Sequence, residues 1–214
     1  MRAIVAFVLG LSWCAAVAAQ PATVGLEVSG FNGPFGAPTV SFSAELHYDN
    51  GKSTVEGRVV AIPKRERWEF RTGGVTVISI LYADLGRGYT VLPAQRMYLE
   101  VDQAATYVND TKWTVQREGE DTIDGLLCGR YAVEGVRGNG DRYQATMWLA
   151  EAYNLVIRAQ GNSVIGGTAR PVHLQLSNIQ TGPQDPALFE PPPDYRRFGT
   201  GLDAPPPPPA RIQP

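Results

Sequence analysis

Few side chains in this sequence have the chemistry to act as a nucleophile, a base or a metal ligand. There are two cysteines, Cys14 and Cys128, and two histidines, His47 and His173. A thiolate nucleophile needs a base within hydrogen-bond reach. No histidine stands near Cys128 in Asp124-Gly125-Leu126-Leu127-Cys128-Gly129-Arg130-Tyr131. A metal site needs several ligands, and neither histidine belongs to a CxxC or HExxH spacing. The carboxylates of Glu118-Gly119-Glu120-Asp121 crowd together in a turn-like stretch that reads as solvated loop. No GxSxG elbow, P-loop or GxGxxG occurs. The inventory therefore predicts no catalytic residue, no metal and no cofactor. Cys128 reads as a small buried apolar residue, and the histidines read as exposed.

Charge narrows the partners. The chain carries 19 basic and 21 acidic residues, a net charge of −2. Its densest basic stretch, Lys64-Arg65-Glu66-Arg67, is interrupted by a glutamate. Nothing there tracks a phosphate backbone, so no nucleic-acid partner is expected.

The elements that would position these groups are strands. Val40, Phe42, Ala44, Leu46 and Tyr48 alternate with Ser41, Ser43, Glu45 and His47. Trp68 and Phe70 alternate with Arg67, Glu69 and Arg71, and Met97, Leu99 and Val101 alternate with Arg96 and Glu100. Val172, Leu174 and Leu176 alternate with His173, Gln175 and Ser177. A period of two turns one set toward a core and the other toward water. Further strands are predicted at 54–62, 75–83, 87–92, 113–118, 129–135, 142–150 and 154–160. Short turns such as Asp49-Asn50-Gly51, Asp84-Leu85-Gly86 and Gly138-Asn139-Gly140-Asp141 join them, which favours antiparallel neighbours. About eleven strands in one domain call for a closed or strongly curved sheet. Helix is scarce, with a turn or two predicted at 102–108 behind a capping Asp102.

Two strands are apolar on both faces. One is Val75-Thr76-Val77-Ile78-Ser79-Ile80-Leu81-Tyr82. The other is Tyr143-Gln144-Ala145-Thr146-Met147-Trp148-Leu149, where Trp148 sits on the polar phase. Such strands are covered on both sides.

The termini differ in kind from the body. Residues 1–19 have the form of a signal peptide: Arg2, an apolar run over residues 3–11, and Ala15-Ala16-Val17-Ala18-Ala19 at the cleavage site. Trp13 before Cys14 is too bulky for a lipoprotein signal. Residues 20–198 form the β domain, with Cys128 as its one thiol and so no internal disulfide. Residues 199–214, rich in proline, read as a disordered tail. Export to a bacterial periplasm is the expected location.

Several stretches resemble a family of small exported bacterial proteins catalogued as a domain of unknown function. The first is Asp84-Leu85-Gly86-Arg87-Gly88-Tyr89-Thr90-Val91-Leu92-Pro93-Ala94-Gln95-Arg96-Met97-Tyr98-Leu99-Glu100. Arg67-Trp68-Glu69-Phe70, the stretch from Asp124 through Cys128 to Tyr131, and Asn178 through Glu190 agree with the family's order. That family is similar in turn to the outer-membrane lipoprotein carrier and receptor, and the domain looks LolA/LolB-like. The resemblance implies a mainly β fold: a single curved antiparallel sheet forming an incomplete barrel, with little helix and a cavity for acyl chains. Ile62 stands where the carrier has a functional arginine, so that role is not carried over.

These readings predict a monomeric, non-enzymatic periplasmic binding or carrier protein for a lipid or other hydrophobic ligand. Its candidate lining residues are Trp68, Phe70, Met97 and Leu99 on the inward phase, with Leu81 and Trp148 on the doubly apolar strands. The alternative is a structural or interaction module with a filled core, docking an envelope partner by a strand edge or the proline tail.

Overall fold

The computed structural model describes residues 33–72, 74–102 and 111–198. The signal peptide, the proline-rich tail and most of the helical turn expected at 102–108 lie outside the described residues. Asp102 itself ends a strand.

Eleven strands of six or more residues form one open antiparallel sheet, as the alternation predicts. In chain order they are β1 (Phe42–Asp49), β2 (Thr54–Ile62), β3 (Arg65–Thr72), β4 (Val75–Tyr82), β5 (Arg87–Leu92) and β6 (Met97–Asp102). There follow β7 (Thr111–Ile123), β8 (Leu126–Arg137), β9 (Arg142–Ala150), β10 (Leu155–Ile165) and β11 (Thr168–Thr181). A twelfth, two-residue strand, β12 (Arg196–Arg197), pairs parallel with β6. The spatial order is β12-β6-β5-β4-β3-β2-β1-β11-β10-β9-β8-β7. Two meanders thus run outward from a central seam, where β1 meets β11 with Leu46 opposite Leu176 and Tyr48 opposite Leu174. Among the described residues helix is confined to four short 3-10 turns.

Several strands outrun their sequence signal. The turn between β7 and β8 is Asp124-Gly125, both at positive φ (50° and 80°). That is the left-handed pair a tight hairpin demands. The stretch Glu118-Gly119-Glu120-Asp121, read as loop from its charge, lies within β7 instead. Asp121 pairs across the sheet with Cys128, and a bulge between Arg117 and Gly119 absorbs the irregularity. Glu118 and Glu120 are exposed there, on a strand that pairs only with β8 among the described residues. Close backbone approach constrains Gly161 of β10, where a Cβ would overlap the Gln144 carbonyl and lie 2.5 Å from Ala145 Cα.

The core has two parts, one on each face. On the face we call inner, side chains from both meanders meet in one cluster. Phe42, Leu46 and Tyr48 join Val55 and Val59, Trp68 and Phe70, Tyr143 and Met147, Ile157, Leu174 and Leu176. Shared by both halves, this cluster is what the sheet curls around. On the outer face of β2, β4 and β5, a smaller cluster gathers Val60, Ile78, Ile80, Tyr82 and Val91 under Phe189. Phe189 comes from the C-terminal segment, in a turn started by Asp185, whose side chain accepts from the Ala187 N–H at 2.9 Å. The prolines of 191–193 cannot themselves pair with the sheet. Beyond them, however, Arg196 N–H donates to the Arg96 carbonyl at 3.0 Å and Phe198 N–H to that of Tyr98 at 2.7 Å. Proline lacks a donor, but the residues after it regain one.

Candidate binding surfaces

The strand phases divide the six residues nominated from sequence into three groups. Trp68 and Phe70 on β3 point to the inner face and are 1% and 5% exposed. Both belong to the packed inner cluster, and the Trp68 indole N–H donates to Glu66 Oε2 at 3.1 Å. Leu81, Met97 and Leu99 share that inner face, because β3 to β6 pair in register: Glu66 with Leu81, Leu81 with Gly88, Thr90 with Leu99 and Leu92 with Met97. They are only half-buried, as are Val77, Leu92 and Val101 beside them, and Val75 is exposed. The far wing of the sheet therefore carries a half-open apolar strip next to a filled centre.

Trp148 faces the other way. Its neighbours Met147 and Leu149 take the inner face, which leaves Trp148 on the outer face of β9 between Arg130 and Arg158. The indole N–H donates to Asp121 Oδ2 at 2.7 Å, Arg130 Nη1 donates to the same oxygen at 3.1 Å, and the Arg158 guanidinium lies 5.6 Å from the ring centroid. The Trp148 hydrogen bond, ahead of the Arg130 charge, holds the Asp121 carboxyl below the ordinary range even though desolvation works against it. This cover of polar groups explains how a tryptophan sits on a polar phase.

The two histidines, far apart in sequence, come together on the outer face of β1 and β11. With Asp49, Gln160, Leu174 and Gln175 they line a shallow depression of about 380 Å³. His47 Nδ1 lies 2.5 Å from Glu56 Oε1. Among the described residues no group of three or more His, Cys, Asp or Glu side chains is arranged to hold a metal ion. Cys128 is fully buried, its thiol 3.4 Å from the Leu126 carbonyl, and burial pushes its pKa up, away from the reactive thiolate.

The sheet has two edges, and they are treated differently. Along β6 the C-terminal segment closes the edge through β12, the Arg96–Asp194 ion pair and an Arg197–Glu100 pair at 2.9 Å. Along β7 no strand pairs with the outer side among the described residues. The first half of β7 reads Thr111-Lys112-Trp113-Thr114-Val115-Gln116. Trp113 is half-buried against Tyr143, with ring centroids 5.9 Å apart, while Val115 is 41% exposed. The alternation gave this strand away in the sequence. Its place at a sheet edge had no sequence signal, because edges are set by long-range order.

No family model matches the chain, and no curated protein matches it in sequence. Solved structures do match. An uncharacterized conserved protein from Thermus thermophilus aligns with a TM-score of 0.54 at 13% identity, over 75% of this chain and 90% of that one. MucB in complex with MucA(peri) aligns with a TM-score of 0.46 at 14% identity, over 79% of this chain and 57% of that one. A putative outer membrane lipoprotein-sorting protein domain from Vibrio parahaemolyticus aligns at 0.31 and 10% identity, over 72% and 89%. At such identities a match speaks for fold alone, and of these three the first reaches the level at which a common fold follows. The chain thus shares its fold with the Thermus protein.

Proposed function

We propose that this chain is an exported, non-enzymatic protein of the bacterial cell envelope that works by docking a protein partner on the surface of a filled β-sheet. The observation that carries this reading is the packing of Trp68 and Phe70. These residues were the first nominated to line a ligand cavity, and at 1% and 5% exposure they pack into the core. A carrier needs apolar side chains facing unfilled space, whereas here the same side chains stabilise the fold by roughly 1.5–3 kcal/mol each. The signal-peptide pattern of residues 1–19 supports export, and the burial of the Cys128 thiol supports a non-enzyme.

A second reading, an apolar ligand such as an acyl chain, is favoured by the half-open strip of Leu81, Met97 and Leu99. One experiment separates the two. The protein is purified from periplasm, examined by native mass spectrometry and extracted with organic solvent. Lipid-free protein that still cross-links in the cell to one envelope protein supports docking. A stoichiometric acyl lipid, lost on Leu99→Glu, overturns it in favour of the carrier.

A further inference from the structure

We propose that the outer-face groove filled by residues 188–190 is a peptide-binding site for a partner protein's segment of the form Leu-Phe-Glu, and that the chain's own C-terminal segment guards it. The inference rests on the docking reading above and gives it a place and a chemistry.

The groove lies on the outer face of β2 to β5, and its floor and walls do different things. Val60 of β2, Ile78 and Ile80 of β4 and Val91 of β5 form an apolar floor under the Phe189 ring. Three side chains hold the segment by its polar parts. Arg67 Nη1 donates to the Leu188 carbonyl at 2.9 Å, and the Tyr82 hydroxyl donates to the Phe189 carbonyl. Arg65, stacked 4.9 Å from the Tyr82 ring centroid, pairs with Glu190 at 3.6 Å. The three share one face because Arg65 lies opposite Tyr82 and Arg67 opposite Ile80. An apolar pocket, donors to two consecutive carbonyls and a cation beside the next residue are the parts of a peptide site. These contacts read three consecutive residues, so a separate chain carrying the same three would make them equally well.

The chain's own segment is also placed so that it can leave. Strands β1 to β11 all precede it, so lifting it interrupts none of them. Phe189 is its one fully buried side chain, with Leu188 and Tyr195 partly buried against the same cluster. Beyond the prolines it is held by a two-residue parallel pairing with β6 and by two surface ion pairs, Arg96 with Asp194 and Arg197 with Glu100. Surface pairs contribute little, and a terminal segment opens at lower cost than the domain unfolds. Its release bares an apolar floor whose flanking donors have lost their carbonyls. The chemistry that refills it is an aromatic side chain preceded by leucine and followed by a carboxylate. A guarded site lowers the partner's apparent affinity by the fraction of time it stands open.

The test uses the chain as secreted and an end-blocked copy of residues 185–191, Asp-Pro-Ala-Leu-Phe-Glu-Pro. Fluorescence anisotropy follows its binding to wild type and to Phe189→Ala, whose own segment no longer fills the pocket. The peptide should bind Phe189→Ala about tenfold or more tightly than wild type, because apparent affinity scales with the open fraction. Replacing the peptide's phenylalanine by alanine should weaken it by about tenfold or more. Adding Tyr82→Phe to the Phe189→Ala protein should weaken it about two- to tenfold through the lost donor. In wild type, saturating peptide should speed amide exchange over 188–198, a readout that does not depend on how Phe189→Ala folds. Failure to bind folded Phe189→Ala, equal binding to both proteins, or unchanged exchange over 188–198 would overturn the site. A dimer that the peptide dissolves would make the occupant a second copy of this chain and overturn its assignment to a partner. If the peptide fails while an envelope protein still cross-links in the cell, this groove is wrong and the docking reading stands. If co-purified lipid replaces the partner, the docking reading fails.

Discussion

Removing one side chain, Phe189, should free the C-terminal segment while leaving the sheet folded. Phe189 is fully buried on the outer cluster and is the segment's one fully buried side chain. Leu188 and Tyr195 of the segment are only partly buried against the same cluster, and its further ties are polar: Tyr82 Oη donates to the Phe189 carbonyl, and Arg67 Nη1 donates to the Leu188 carbonyl at 2.9 Å. Arg65 lies 3.6 Å from Glu190, an exposed pair worth at most about 1 kcal/mol. A buried phenylalanine withdraws roughly 150 Å² from water, or about 4 kcal/mol at ~25 cal/mol per Å². Discounting the compactness of unfolded chains leaves about 3 kcal/mol for Phe189→Ala. Because the segment lies on the sheet rather than within it, that loss should appear as local opening. Amide exchange over 188–198 should then rise about a hundredfold, since ~1.4 kcal/mol is a factor of ten. Trypsin should cut sooner at Arg196 and Arg197, while amides of β8 to β10 keep their wild-type rates. A rise of less than tenfold over 188–198, or an equal rise throughout the sheet, would refute this reasoning.

Three further outcomes are expected. Trp148→Phe keeps an aromatic ring but removes the donor to Asp121, so the Asp121 pKa, read by carboxyl-carbon NMR, should move back up. A depressed carboxylate contributes stability above the ordinary carboxylate range and loses it as pH falls, so the variant should lose less stability than wild type on acidification. Gly161→Ala should lower the urea midpoint by the equivalent of about 1–3 kcal/mol, because its Cβ would meet the backbone of β9. Burial, and then Glu190, push the Tyr82 phenol up to about 12. A raised pKa stabilises the fold below pH ~10, and that contribution is lost as pH climbs toward 12. Tyrosinate absorbance should therefore show a late step that Tyr82→Phe removes.

The fold was largely legible because its signals are local. Trp68 and Phe70 declared an inward phase within a few residues, and short turns declared their antiparallel neighbours. The doubly apolar β4 was read as covered on both sides; Val77 and Leu81 on its inner face are half-buried, while its outer face is covered, where Ile78, Ile80 and Tyr82 lie under Phe189. What covers them was not legible. Phe189 sits in a proline-rich, aperiodic stretch, and nothing in its neighbourhood says that it returns to strands far earlier in the chain. Trp148 looked like a ligand contact because its polar-phase position has no local explanation. The explanation is Asp121, in a stretch whose charge made it look like loop. The edge at β7 was hidden for the same reason: sequence shows that a strand exists, and only the assembled order shows which strand lies last.

That order also sets the timing of folding. Each meander closes through neighbours in sequence, so β2 to β6 and β7 to β10 can assemble as their residues become available. The β1–β11 seam joins Leu46 to Leu176, a loop closed late and at high entropic cost. Until β11 arrives, β1 has only β2 beside it, and Phe42, Leu46 and Tyr48 await half of their neighbours. A chain threaded through a membrane from its N-terminus would hold that unfinished seam open for most of its passage. The half-sheet, rather than the unfolded chain, is then the species a chaperone or protease would meet.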